Sequence, residues 1–157
     1  MASFDLHVSH RQVAVFAAEL ENPFSEWNGR HVAQGFAWRP HTVSFRTFDD
    51  GPLAVTATRR PDDEPSLAPA RVIRVPFEVP ADGQVKVATR ASAKELHLPG
   101  GHYDLTFEHG LEAEGQWCRL LFVACPVSRE AAVLCADAEL YPGTPLLMKA
   151  SATDEDS

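Results

Sequence analysis

Apolar and polar positions alternate with a period of two in short runs along most of this chain, and sustained helical periodicity is scarce, so the pattern predicts a mainly β domain. Phe4, Leu6 and Val8 alternate with polar residues, and Val13 and Val15 continue after Ser9-His10-Arg11. Residues 4 to 16 therefore read as one long bent strand or a strand pair, with a bulge near Ser9. Val43, Phe45 and Thr47 lead into Asp49-Asp50-Gly51-Pro52 and then Leu53, Val55 and Ala57, which predicts a hairpin. Ile73, Val75, Phe77 and Val79 share one face, and Pro76 on the other predicts an edge strand or a bulge. A further strand is expected at Gln84 to Val87. Beyond the turn Pro99-Gly100-Gly101, the alternation points Tyr103, Leu105 and Phe107 inward and His102, Asp104, Thr106 and Glu108 to water. Leu120 to Cys125 is apolar throughout, as in a central strand covered on both faces. Together these runs predict a two-layer antiparallel β-sandwich-like domain.

Two segments depart from strand periodicity. Asn28 is a good N-cap and Gly35 a good C-terminal stop, framing Gly29 to Gln34 as a short helix. At 128–141, Leu134, Cys135, Ala138 and Tyr141 have helical spacing while Val133, Cys135 and Asp137 alternate as in a strand; a second helix is the expectation, a strand the alternative. Residues 59–70, with Pro61, Pro65 and Pro69, read as a mobile loop. Residues 151–157 read as a disordered acidic tail, leaving residues 1–150 as one domain.

Composition narrows the functional classes. The 157 residues carry 14 Lys and Arg against 22 Asp and Glu, a formal charge of −8 that opposes direct nucleic-acid binding and favours a basic partner. No apolar run reaches the length of a membrane span, and the first residues lack a secretion signal, so a cytoplasmic location is expected. Cys118, Cys125 and Cys135 are odd in number, lie among apolar residues and lack metal-ligand spacing; no disulfide is expected.

A search for catalytic constellations finds neither a phosphate-binding loop, nor a dinucleotide fingerprint, nor a zinc-protease helix, nor a nucleophile elbow. His7 and His10 would point to opposite faces of a strand, as would Ser9 and His10. Pro61-Asp62 with Gln84-Val85-Lys86 imitates a metal-dependent nuclease, but Asp62 sits in the proline-rich loop rather than on a rigid strand, and no basic groove accompanies it. No catalytic residue, metal ligand or cofactor is therefore assigned. One asymmetry stands out: between Lys94 and Arg119 no Lys or Arg occurs, while Asp104 and Glu108 share an outward face and Glu112 and Glu114 follow in the next loop. These four residues are the candidate partner-binding patch, with Trp117 a candidate anchor and Asp154 to Asp156 of the tail a competing polyanion.

The stretch from Leu6 to Val13, then Trp27, Gly35-Phe36-Ala37 and Val43-Ser44-Phe45, resembles the N-terminal half of the competence protein J family. Val75-Pro76-Phe77-Glu78-Val79 and the run Leu98 to Thr106 resemble that family's most characteristic block, in the same order, for a coverage of about residues 5 to 125. The chain departs from the family in a longer 59–70 loop and in an extension after Pro126. The resemblance implies a non-catalytic inhibitor or immunity-type protein that blocks a bacterial nuclease, and it brings no catalytic residues. The alternative is a small-ligand-binding β-sandwich whose pocket is lined by His31, Trp27 and Trp38.

Overall fold

The computed structural model describes residues 2–59, 68–125, 130–140, 142, 146–148, 150 and 151. In chain order the elements are β1 (Ala2–Val8), β2 (Gln12–Ala17), α1 (Gly29–Gln34), β3 (Phe36–Arg39), β4 (Thr42–Arg46), β5 (Gly51–Thr58), β6 (Arg71–Val79), β7 (Gln84–Ala88), β8 (Ala93–His97), β9 (Gly101–Glu112), β10 (Gly115–Ala124) and β11 (Ala132–Cys135). They form two packed sheets, one ordered β1-β5-β10-β9-β6-β11 and the other β3-β4-β2-β7-β8. Most of the expected 59–70 loop, Asp62 within it, and the acidic tail after Ser151 lie outside the described residues.

The alternating residues fill the space between the sheets. Phe45 of β4 stacks on Phe107 of β9 across the layers at 4.4 Å between ring centroids. Phe77, Tyr103 and Phe122 meet edge to face near the opposite end. The expected strand positions Ile73, Val75, Phe77, Val79, Tyr103, Leu105 and Phe107 are all buried. One helix is present where it was expected. Asn28 Oδ1 accepts the backbone N–H groups of Arg30 and His31, and His31 Nδ1 accepts the Asn28 N–H, a closed capping box. Gly35 ends the helix at φ 89°, and a Cβ there would come within 3.0 Å of Ile73 and 3.1 Å of Leu140, so the backbone lies directly against the core.

The strand run at residues 4–16 is two strands in different sheets, joined by a turn in which His10 and Arg11 adopt positive φ of 59° and 52°. The predicted hairpin at 43–57 is not one. β4 pairs with β2 and β3, β5 pairs with β1 and β10, and residues Thr47 to Asp50 step across from one sheet to the other. Turn chemistry is local and does not distinguish a chain that doubles back within a sheet from one that crosses the sandwich. The same crossing makes the β5–β10 pair parallel in an otherwise antiparallel architecture.

Pro76 behaves as expected of an edge. β11 covers β6 only at Val72 to Arg74, and beyond it the Pro76 carbonyl accepts the Trp38 indole N–H at 2.8 Å. Three expectations are corrected. Residues 132–135 are a strand and not the predicted second helix, because β6 offered an unpaired edge whose hydrogen bonds outweigh a weak local helical pattern. Leu120 and Phe122 are buried, but Leu121 and Val123 are only half-buried and Ala124 is exposed, so β10 is not covered fully on both faces. Asp104 takes the outward side of β9 as alternation requires, yet it is buried rather than in water.

Candidate functional site

Five segments converge at the end of the sandwich where β1 passes into β2. They are the turn at His10 and Arg11, the crossing Thr47 to Asp50, the β9–β10 tip, the start of β6, and Asp137 to Leu140. Their organising group is Arg71, whose side chain is 0% exposed. Its Nε donates to Asp137 Oδ1 at 3.0 Å, one Nη to Glu139 Oε1 at 2.5 Å, and the other Nη to the Arg46 carbonyl at 2.8 Å. The guanidinium also lies 4.5 Å over the Phe48 ring, which stacks on His109 at 4.0 Å. Glu139 reaches two further cations, Arg11 at 3.6 Å and Arg46 at 3.9 Å.

His109 is buried beside this network. Gln116 Nε2 donates to the Asp49 carbonyl, so Gln116 Oε1 faces His109 Nε2 as an acceptor at 3.0 Å and the imidazole carries its proton there. Its pKa is pushed down to about 3, chiefly by burial and further by the Arg71 charge, against the Gln116 bond and Asp137.

The structure separates the four predicted patch residues. Asp104 is buried, and Glu108 is half-buried and bound to Arg119, whose Nε lies 2.8 Å from Glu108 Oε1. Glu112 and Glu114 are exposed at the β9–β10 tip. The parallel register Leu53↔Gln116, carried back two residues, brings Gly51 level with Glu114, so the exposed Asp49 and Asp50 stand beside that tip. Leu111 of β9, 68% exposed, belongs to the same tip, opposite Gln116 of β10. Leu134 of β11 is 55% exposed and Val32 of α1 40% exposed, and both elements reach the same end. The backbone carbonyls of Val32 and Glu139 accept from the same Arg46 nitrogen. Among the described residues these are the exposed large apolar side chains.

Sequence reasoning missed Leu111, Asp49, Asp50 and the Arg71 network. An apolar residue inside an acidic turn was a readable signal for Leu111; nothing in the sequence links Arg71 to Asp137 and Glu139, 66 and 68 residues away. Trp117 is half-buried and lies across Gly110, where an added Cβ would stand 2.5 Å from the indole. His7 and His10 are exposed, and among the described residues no group of His, Cys, Asp and Glu could hold a metal ion. His10 Nδ1 and Ser9 Oγ make only a long 3.4 Å contact at an exposed turn.

Trp27 and His31 do share a cavity, of about 210 Å³, with Glu26, Asn28, Leu147, Ala150 and Ser151. Trp38 is elsewhere, bonded to Pro76. His31 Nε2 is buried and has no hydrogen-bond partner among the described residues, and its pKa is lowered by burial and by Arg30. A larger cleft of about 920 Å³ lies at the opposite end of the sandwich, lined by Ala57, Thr58, Leu96, Leu98 and Phe122 among others.

The chain is a two-sheet β-sandwich whose loop end presents exposed apolar side chains and exposed carboxylates. The chain belongs to the Competence protein J (ComJ) family, whose sequence model matches residues 5–129. Its fold is similar to a crystal structure of ComJ, inhibitor of the DNA degrading activity of NucA, from Bacillus subtilis. That match has a TM-score of 0.72 and 18% identity, over 80% of this chain and 96% of the other. Comparison with curated proteins gave no match. No helix among the described residues is long and apolar enough to cross a membrane.

Proposed function

We propose that this protein is a non-catalytic inhibitor that binds a bacterial nuclease in the cytoplasm and blocks it by occluding its DNA-binding surface. The observation that carries the reading is family membership over residues 5–129, to which the fold match with a nuclease inhibitor adds support. The physical chemistry agrees with it. An enzyme that degrades DNA presents positive potential where phosphates bind, and a chain of charge −8 is drawn to that field.

The docking surface is the loop end. Leu111 serves as an apolar anchor, with Glu112 and Glu114 at the same tip and Asp49 and Asp50 across β10, so that a desolvated side chain holds the complex and exposed charges at this end speed its formation. Of the sequence-derived patch, Glu112 and Glu114 meet the partner directly. Glu108 and Asp104 lie behind them on the same strand face, Glu108 acting through Arg119.

The test uses the NucA-like nuclease from the chain's own source. DNA degradation should fall with added protein, and the protein alone should cut no DNA with or without divalent metal. Reversing Glu112 and Glu114 to Lys should slow association and flatten its salt dependence. Full inhibition by that variant, together with loss of inhibition on deleting residues 152–157, would move the contact to the tail. The ligand-binding alternative is supported by the cavity that His31 and Trp27 share, but about 210 Å³ is below the roughly 300–1,000 Å³ of ordinary ligand pockets.

A further inference from the structure

The region matched by the family ends at residue 129, and the chain continues for 28 residues beyond it. The described part of this extension does not trail away from the domain. β11 adds a strand to the edge of β6, Asp137 and Glu139 close over Arg71, and Leu140 is buried against Gly35. Gln34 then exchanges two hydrogen bonds with the backbone of Leu147, and Ala150 N–H donates to the Trp38 carbonyl. The extension thus crosses the sandwich end that carries Leu111, Glu112 and Glu114 at Asp137 to Leu140, and its later described residues pack on α1 and β3.

Its placement changes that end in two ways. The cations there, Arg11, Arg46 and Arg71, all come from the family-matched region, as do the exposed carboxylates Asp49, Asp50, Glu112 and Glu114. Without the extension, four carboxylates would share the end with three guanidinium groups. Asp137 and Glu139 bind those arginines and bring the acids to twice the number of bases. The second change is apolar: Leu134, more than half exposed on a strand the family region lacks, adds an anchor to the one at Leu111.

We propose that the C-terminal segment Glu130–Leu140 is a specificity element of the docking surface. It neutralises the arginine cluster in cis, so that the end stays attractive to a cationic partner, and it contributes Leu134 to an apolar socket on that partner. The proposal rests on the inhibitor reading above. Its occupant is the cationic DNA-binding face of a nuclease, on the ground of charge complementarity with the carboxylates at this end, and Leu134 stands on the edge strand beside β6, whose first residue, Arg71, is bound by Asp137 and Glu139. Because Arg71 is buried, Asp137 and Glu139 matter as counter-ions rather than as contacts; Leu134 is the contact.

The experiment measures association and dissociation rates of the full chain with the recombinant NucA-like nuclease of its own source, at low and at high salt. Leu134→Asp should weaken the complex about tenfold or more, mainly through faster dissociation, while leaving the melting temperature of the isolated protein unchanged. Asp137→Asn with Glu139→Gln should slow association a few-fold at low salt, and the difference should vanish at high salt. If the paired variant does not fold, Leu134→Asp and Leu134→Lys still decide the matter. Wild-type kinetics in folded Leu134 variants, with binding lost on reversing Glu112 and Glu114, would overturn this proposal and leave the inhibitor reading intact. Absence of any binding by the wild-type chain would overturn both.

Discussion

Replacing Asp137 by Ala should destabilise the protein far more than replacing Glu139, although both carboxylates bind the same arginine. The Arg71 guanidinium has no access to water, whereas the Asp137 and Glu139 side chains are 22% and 42% exposed. Losing Glu139 leaves Asp137 Oδ2 at 3.3 Å from the same Nη, and water can enter from the exposed side. That loss should cost about 1 kcal/mol, the scale of a solvent-accessible ion pair. Losing Asp137 strips Nε of its partner at 3.0 Å inside a closed site, which should cost about 3–5 kcal/mol, as for other buried pairs broken on one side. For a domain of this size the melting temperature should fall by roughly 6–20 °C, at about 2–4 °C per kcal/mol. Urea unfolding should show a lower midpoint with an unchanged slope. Arg71→Met supplies the control, because it removes the buried charge and leaves both carboxylates able to hydrate. In that background Asp137→Ala should cost less than about 1 kcal/mol, giving a coupling of at least about 2 kcal/mol between the two sites. Equal costs for the two carboxylates, or a coupling near zero, would mean that Arg71 is hydrated and that the network does not hold the extension to the sandwich.

Three further outcomes are expected. His109 stays neutral in the fold down to about pH 3, while in the unfolded chain it takes up a proton below about 6.5, so stability should fall as pH drops through that window, by about 1.4 kcal/mol per pH unit from this group; His109→Gln should flatten the acid limb of a melting-temperature profile, and an unchanged slope would refute the assignment. Phe107→Ala removes one half of the cross-sheet stack with Phe45 and should cost about 3–5 kcal/mol in denaturant titration, as should Phe77→Ala; an unchanged midpoint for either would refute the packing described for it. Gly110→Ala places a methyl group where the Trp117 indole lies, so the ring must move outward at a cost of about 1–3 kcal/mol, read as a red shift of the emission that Trp117→Phe abolishes; an unmoved emission would show that the ring does not cross Gly110.

What the sequence alone determined follows from interactions of short range. The period-two burial of Ile73 to Val79 and of Tyr103 to Phe107, the Asn28 and Gly35 caps and the edge character of Pro76 each depend on neighbouring residues along one strand or one helical turn, and all were legible. The ordered blocks that carry the family resemblance are of the same kind, since they are strand and turn sequences. Only the tertiary structure decided which sheet each strand joins, because β4 and β5 have the alternation of a hairpin and choose different partners across the sandwich. It also decided the fate of residues 132–135, whose own pattern was divided until the vacant edge of β6 selected the strand. The acidic patch shows the same division. Alternation correctly placed Asp104 and Glu108 on one face, but Asp104 is buried in the folded domain and Glu108 pairs with Arg119 directly across the β9–β10 hairpin, which leaves Glu112 and Glu114 as its exposed members. Arg71 is the extreme case: a lone arginine at the start of a strand carries no local sign of burial, and its place in the core is determined by carboxylates 66 and 68 residues further along the chain.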